Sequence, residues 1–463
     1  PYSFGMLARP TRLPREITRR ARRWLAPVVG LALLGATTAA ARDPAVLQWS
    51  TLRWHERHAR AEDQTGKPHA LHLDANLQAA ARTLLTRAKP AAGAAVLVDV
   101  KTGNVLAAAE FGSAAGGSLL FDPIAPAASV FKLVTTITLY ERSDVTPKTR
   151  VCTRGGIRSV LAEHLEPARG PDALCAPFYQ ALGRSRNAVF AQLATQKLMH
   201  RDLVEVSEML GFNRALPLEA NARVGSLVVP PGDLDFARTA TGFENSRLSV
   251  FGAAHIALSI AAGGIERPMH LSSDPEFTPA APAAPAAAAV ASSVPGSLPS
   301  IETLAAAGFP MNSLPPSRSL SKTGDARSVT SSPTDARASE PRPSEPRRLF
   351  SARTADRVTR AMEYTVRSGT AQGAFVDEHG KPYLGQIHVA GKTGTLQADA
   401  EETTASWFVG FAPSEQPEIV VSVVLQNTAL WHQKGHQVAR DLLRAYFAAR
   451  GAAGVTSPVP AAR

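Results

Sequence analysis

Ala405-Ser-Trp-Phe-Val-Gly-Phe-Ala412, a connection over Pro413–Pro417, then Glu418-Ile-Val-Val-Ser-Val-Val-Leu-Gln426: the reading of this stretch decides the fold. Two runs of β-branched and aromatic residues around a proline-bounded turn form an antiparallel hairpin. The pattern recurs far upstream. Ala94-Ala-Val-Leu-Val-Asp-Val100 and Val105-Leu-Ala-Ala-Ala109 flank a turn at Lys101-Thr-Gly-Asn104. Most of the chain between and after the hairpins has helical spacing. The expected class is therefore α+β: an antiparallel sheet flanked by helices, its first and last strands meeting, plus an all-helical subdomain.

Working outward, Asp74 caps a helix bearing Leu77, Ala80, Ala81, Leu84, Leu85 and Ala88 at helical spacing. Further helical faces begin near Ser129, Asn187, Arg201 and Ser249. Ser351 opens another helix, ended by Gly369. Ile387-His-Val-Ala-Gly391 reads as a strand, and His436 to Arg450 as a closing helix.

The chain has 463 residues, a globular composition and a net charge of +11. Its charge is uneven. Seven arginines lie between Arg9 and Arg23, offset there by Glu16 alone, so residues 1–23 form a basic arm and the remainder is mildly basic. That distribution argues for a membrane or targeting feature and against a nucleic-acid partner. Residues 24–41 follow without a charge, close to the 20 or so residues that span a hydrocarbon layer. A retained anchor and a signal peptide cleaved after Ala39-Ala40-Ala41 both fit; either sends the rest across the membrane. Residues 42–70 are expected to be a linker, 71–449 the domain and 450–463 a flexible tail. Within the domain, 272–346 is dominated by Pro, Ala, Ser and charged residues, a composition of disordered insertions. Cys152 and Cys175 are the two cysteines, and export permits a disulfide between them. They make no metal site. His432 and His436 lack a third ligand and read as a polar patch on a helix surface, while Trp407 and Phe411 read as core.

Three short motifs carry chemistry. In Ser129-Val-Phe-Lys132 the two polar residues share a helix face, so an amine can take the hydroxyl's proton. Ser185-Arg-Asn187 opens a helical run and offers a hydroxyl and an amide. Lys-Thr-Gly occurs at Lys101, Lys322 and Lys392. The first fits a turn and the second lies in the insertion. Lys392-Thr393-Gly394 follows a strand-like run and precedes Thr395, so it is the copy able to border a cleft; its glycine would let a substrate backbone approach.

Together and in this order, the motifs resemble the active-site set of the penicillin-binding protein and serine β-lactamase superfamily. Gly93–Ala107, Thr365–Ala371, Val389–Thr395 and Trp407–Phe411 resemble flanking segments of penicillin-binding transpeptidase domains. The resemblance implies a nucleophile, Ser129, with Lys132 as base and Ser185 as proton relay. Asn187 would hold the substrate amide, Lys392, Thr393 and Thr395 would bind its terminal carboxylate, and Gly394 would border the bound substrate. Backbone N–H groups of Ser129 and Thr395 would form an oxyanion hole. No metal or cofactor is implied. Implied partners are peptidoglycan stem peptides ending in D-alanyl-D-alanine, β-lactams, the inner membrane through residues 24–41, and a glycan-polymerising protein. D,D-carboxypeptidase, serine β-lactamase and a non-catalytic penicillin-binding sensor or scaffold are the competing expectations; no Glu-x-x-Leu-Asn segment follows Ser185 to supply a β-lactamase base.

Overall fold

The structure, a computed structural model, describes residues 46–156, 159–274, 346–397, 403–429 and 431–455. The basic arm, the uncharged run 24–41, the second Lys-Thr-Gly and nearly all of the insertion lie outside these residues. No helix among the described residues is long and apolar enough to cross a membrane.

The chain enters through three short strands, β1 (Arg53–His55), β2 (His58–Glu62) and β3 (Pro68–Ala70), paired in that order. This corrects the linker expectation for 42–70. Ala59 and Ala61 alternate with polar residues along β2 and, with Leu47 upstream, are buried against the domain. His69 is buried too, its ring nitrogens 3.0 Å from Asp63 Oδ2 and 2.9 Å from Asp274 Oδ2. Short strands split by charged residues carry too little apolar signal to stand out from irregular chain.

Helix α1 (Ala75–Ala88) begins where the Asp74 carboxylate accepts from the Asn76 and Leu77 N–H groups. The upstream hairpin is β4 (Ala92–Asp99) and β5 (Val105–Gly112). At its turn Thr102 Oγ1 donates to Asp99 Oδ1, so the first Lys-Thr-Gly is turn chemistry. After the two-residue β6 (Ala125–Pro126), a 3-10 turn over Ala128–Val130 leads into α2 (Lys132–Arg142). The helical lobe continues through a ribbon, β7 (Arg150–Thr153) and β8 (Leu174–Pro177), in which Cys152 and Cys175 pair across the strands and are bonded. There follow α3 (Phe178–Gly183), α4 (Asn187–Lys197), α5 (His200–Met209), β9 (Gly225–Leu227), α6 (Asp233–Thr241), β10 (Ser246–Leu248) and α7 (Val250–Ala261). Beyond the insertion come α8 (Ala352–Ser368, capped by Ser351), α9 (Gln372–Phe375), β11 (Ala390–Gln397), β12 (Thr404–Ala412), β13 (Ile419–Asn427) and α10 (Gly435–Val455). The closing helix thus runs past the expected start of the tail at 450.

The main sheet is antiparallel in the order β11-β12-β13-β4-β5, so the last strand pairs with the first, as the two hairpins required. Side-chain alternation divides its core. Val420 and Val424 of β13 face the helical lobe with Trp407 and Val96. Ile419, Val421, Val423 and Leu425 face α1 and α10. The two edges are treated differently. At β5, Gln78 closes the ladder: Nε2 donates to Ala108 O at 2.7 Å and Oε1 accepts from Ala108 N–H at 2.8 Å. At the other edge β11 borders a cleft.

Candidate active site

Ser129 lies in the 3-10 turn that feeds α2, half-buried at the cleft, and Lys132 opens the helix fully buried. The Lys132 amine has three partners: Ser129 Oγ at 2.7 Å, Asn187 Oδ1 at 2.6 Å and Thr241 O at 3.0 Å. The last two can only accept. A neutral amine has two N–H bonds and one lone pair, so donating to these two leaves the lone pair for the serine hydroxyl. Burial holds the Lys132 pKa well below the ordinary lysine value, and the charge of Lys392 adds to the effect. Geometry and electrostatics both favour a base.

Lys392 is buried on β11, its ammonium donating to Ser185 Oγ at 3.0 Å and Thr393 O at 2.8 Å. Burial lowers its pKa to about 7. Ser185 thus contacts this second lysine from a turn with φ 54° where α3 hands over to α4. Ala128, just before Ser129, has φ 50°. Such values for residues with a Cβ cost about 1–3 kcal/mol each. The second is held by α6: a Cβ on Gly242, which has φ 79° and ends that helix, would lie 1.9 Å from Ala128 O. Glycine there admits the strained turn.

The strand carrying Lys-Thr-Gly begins at Ala390, later than the expected 387–391, so the motif lies inside β11. Gly394 serves packing within the protein. A Cβ there would lie 3.2 Å from Val130 Cγ2 and Trp407 Cβ and 3.3 Å from Ala128 Cβ. The absent side chain thus lets the Ser129 turn close on the strand, where the sequence suggested room for substrate. Thr393 Oγ1 and Thr370 Oγ1 are 2.5 Å apart, and Thr370 N–H donates to Gly183 O at 3.1 Å, which ties the strand to the end of α3.

The cleft holds about 620 Å³ and is lined by Ser129, Ser185, Asn187, Thr370, Thr393 and Thr395, with further residues toward its ends. Every sequence-predicted residue of the three motifs meets at this place, although they come from positions 129 to 395. Cys152 and Cys175 do not; their ribbon braces the lobe. The sequence reading did not find Thr241, Thr370 or His436. Thr241 ends a helix marked only by Asp233 and Asp235 in its first turn and Gly242 at its stop. His436, read as surface, lines the cleft, and burial with the nearby Lys434 and Arg440 charges lowers its pKa to about 4. Trp407 is core, its Nε1–H donating to Pro126 O at 2.9 Å. Among the described residues no group of three His, Cys, Asp or Glu could hold a metal.

Known proteins resemble this chain at several levels. The family profile described as the penicillin binding protein transpeptidase domain matches residues 93–448. Penicillin-binding protein 2B of Streptococcus pneumoniae is 39% identical over 64 residues, 13% of this chain and 9% of that protein, so the chain aligns with a small part of this relative's length. The D,D-transpeptidase domain of a peptidoglycan glycosyltransferase from Eggerthella lenta superposes with a TM-score of 0.56 at 21% identity, covering 83% of this chain and 84% of that one. The ceftriaxone acyl-enzyme complex of penicillin-binding protein A from M. tuberculosis gives 0.54 at 15% identity, covering 81% and 79%.

Proposed function

The chain belongs to the penicillin-binding protein transpeptidase domain family, and from that premise we propose that it is a peptidoglycan D,D-transpeptidase acting through an acyl-enzyme on Ser129. Transpeptidase domains of this family bind β-lactams and work in cell-wall peptidoglycan synthesis. The observation that carries the finer reading is the buried Lys132 amine, in contact with the acceptors Asn187 Oδ1 and Thr241 O and 2.7 Å from Ser129 Oγ.

Ser129 Oγ attacks the carbonyl between the two D-alanines while Lys132 takes the hydroxyl proton. The backbone N–H groups of Ser129 and Thr395 receive the developing oxyanion. The C–N bond breaks, and the departing D-alanine amine takes a proton through Ser185, which Lys392 contacts. Lys392, Thr393 and Thr395 hold the terminal carboxylate; Asn187 orients the donor amide. An acceptor amine then takes the acyl group, forming the cross-link and freeing Ser129. The uncharged run 24–41 tethers the chain to the membrane with the domain outside, beside a glycan-polymerising partner.

Labelling with a fluorescent penicillin tests this. The full chain should form a long-lived adduct, and Ser129→Ala should form none while keeping its melting temperature. An intact chain that never labels would overturn the proposal, and rapid penicillin turnover would favour a β-lactamase.

A further inference from the structure

One end of the cleft is built from residues that the three motifs do not explain. β11 is an edge strand, so a peptide can add along its outer side. On the reading above, the terminal carboxylate lies by Lys392 and Thr393 and the scissile carbonyl by the Thr395 N–H. The donor's preceding residues then run on toward Leu396 and Gln397, at about 3.3 Å per residue. The neighbouring strand fixes what they meet. Thr395 pairs with Ser406, whose Oγ accepts from the Gly435 N–H at 3.1 Å. Lys434 and His436 flank that glycine, and both line the cleft. The Lys434 ammonium rests over the exposed Trp431 ring, 5.5 Å from its centroid. Among the described residues, no acidic side chain lines the cleft. His436 stays neutral above about pH 4, so this end presents one positive charge beside an uncharged ring.

We propose that Lys434, with His436 beside it, forms a subsite for a second carboxylate on the donor, carried by the residue preceding the D-alanyl-D-alanine pair. The substrate class is then stem peptides whose third residue has a free side-chain carboxylate. Peptides in which that group is amidated, or replaced by lysine, are disfavoured. This inference rests on the transpeptidase reading and refines its substrate.

The test uses the full chain in detergent and two soluble donor peptides that differ only in a carboxylate or carboxamide at that position. The ratio of their kcat/KM values is the readout, so each variant carries its own reference. The wild type should favour the carboxylate about tenfold, equivalent to about 1.4 kcal/mol. Lys434→Gln should bring the ratio within about twofold, Lys434→Arg should keep it, and Lys434→Glu should invert it. The connection at 398–402 carries Asp399, Glu401 and Glu402 and lies outside the described residues. A wild-type preference for the amide would mean that those charges govern this end, and would overturn the subsite. A ratio unchanged in Lys434→Gln would overturn it as well. Benzylpenicillin acylation of the wild type is the separate arm: its absence brings down the transpeptidase reading itself, whereas acylation without discrimination removes only the subsite.

Discussion

Lys132 shows why spacing alone does not make a base. A lysine three residues after a serine is ordinary in helices; this one is buried, with Asn187 and Thr241 accepting from its amine. Lys392 is the second unusual amine, and its pKa of about 7 sets a pH signature. On the proposed reading it attracts the carboxylate of a β-lactam as an ammonium below that value, and above it the attraction fades. The second-order rate of benzylpenicillin acylation, followed from pH 5 to 9, should therefore fall on its alkaline side from about pH 7. In Lys392→Arg that limb should move beyond pH 9, because a guanidinium does not deprotonate there. Stability runs the other way. The folded value lies below the ordinary 10.5, so the unfolded chain binds more protons between the two. Folding should strengthen as pH rises through that window, by at most about 1.4 kcal/mol per pH unit from this group. Chemical denaturation at pH 7 and pH 9, compared with Lys392→Met, isolates the contribution. Both lysines were legible as motif members, whereas their burial was not, because burial is supplied by chain far from either motif.

At the scale of elements, the serine turn and β11 meet across a gap that only glycine leaves open. Gly394→Ala would place a Cβ 3.2 Å from Val130 and Trp407, tighter than ordinary contact. Overpacking of this kind costs about 1–3 kcal/mol. Acylation should fall by one to two orders of magnitude as the Ser129 turn is pushed off the strand, with a lower melting temperature. The opposite edge makes a different prediction. Gln78→Ala removes both hydrogen bonds to Ala108 and leaves those backbone groups unpaired, at a cost of about 1–3 kcal/mol. Thermal unfolding should register that loss while acylation at saturating penicillin is retained, since β5 is the edge remote from the cleft. Strands of the main hairpins were readable because both their faces are buried, which produces nearly continuous apolar runs such as Ile419–Leu425, interrupted by Ser422 alone. The β7–β8 ribbon was not, being half solvent-exposed and held by its disulfide.

On the scale of the whole molecule, the entry segment is clasped to the domain by polar contacts. His69 lies between Asp63, in the same segment, and Asp274, at the edge of the insertion. Hydrogen bonds from Thr65 and His69 hold the Asp63 carboxyl well below its ordinary pKa. A carboxyl with a depressed folded value contributes stability above its unfolded pKa, and that contribution is lost as pH falls below about 4. Pulsed hydrogen exchange over residues 58–70 should therefore show loss of protection on acidification through that point. In Asp63→Asn the protection should already be reduced at pH 7, with little further change. An unchanged profile in the variant would assign the clasp to apolar packing of Leu47, Ala59 and Ala61 instead.

The sequence by itself determined the sheet, because alternation and turn chemistry are local, and it determined the three motifs, because reacting groups must be of particular types. It also singled out one Lys-Thr-Gly from three by its strand-like neighbours. Tertiary structure alone decided that Thr241 and Asn187 complete the Lys132 environment, that Gly394 seats the Ser129 turn, and that His436 belongs to the cleft. It also turned the supposed linker into an ordered sheet. The reason is physical: a pattern along the chain reports what a residue's neighbours in sequence permit, while burial, pKa and close approach depend on atoms brought from hundreds of residues away.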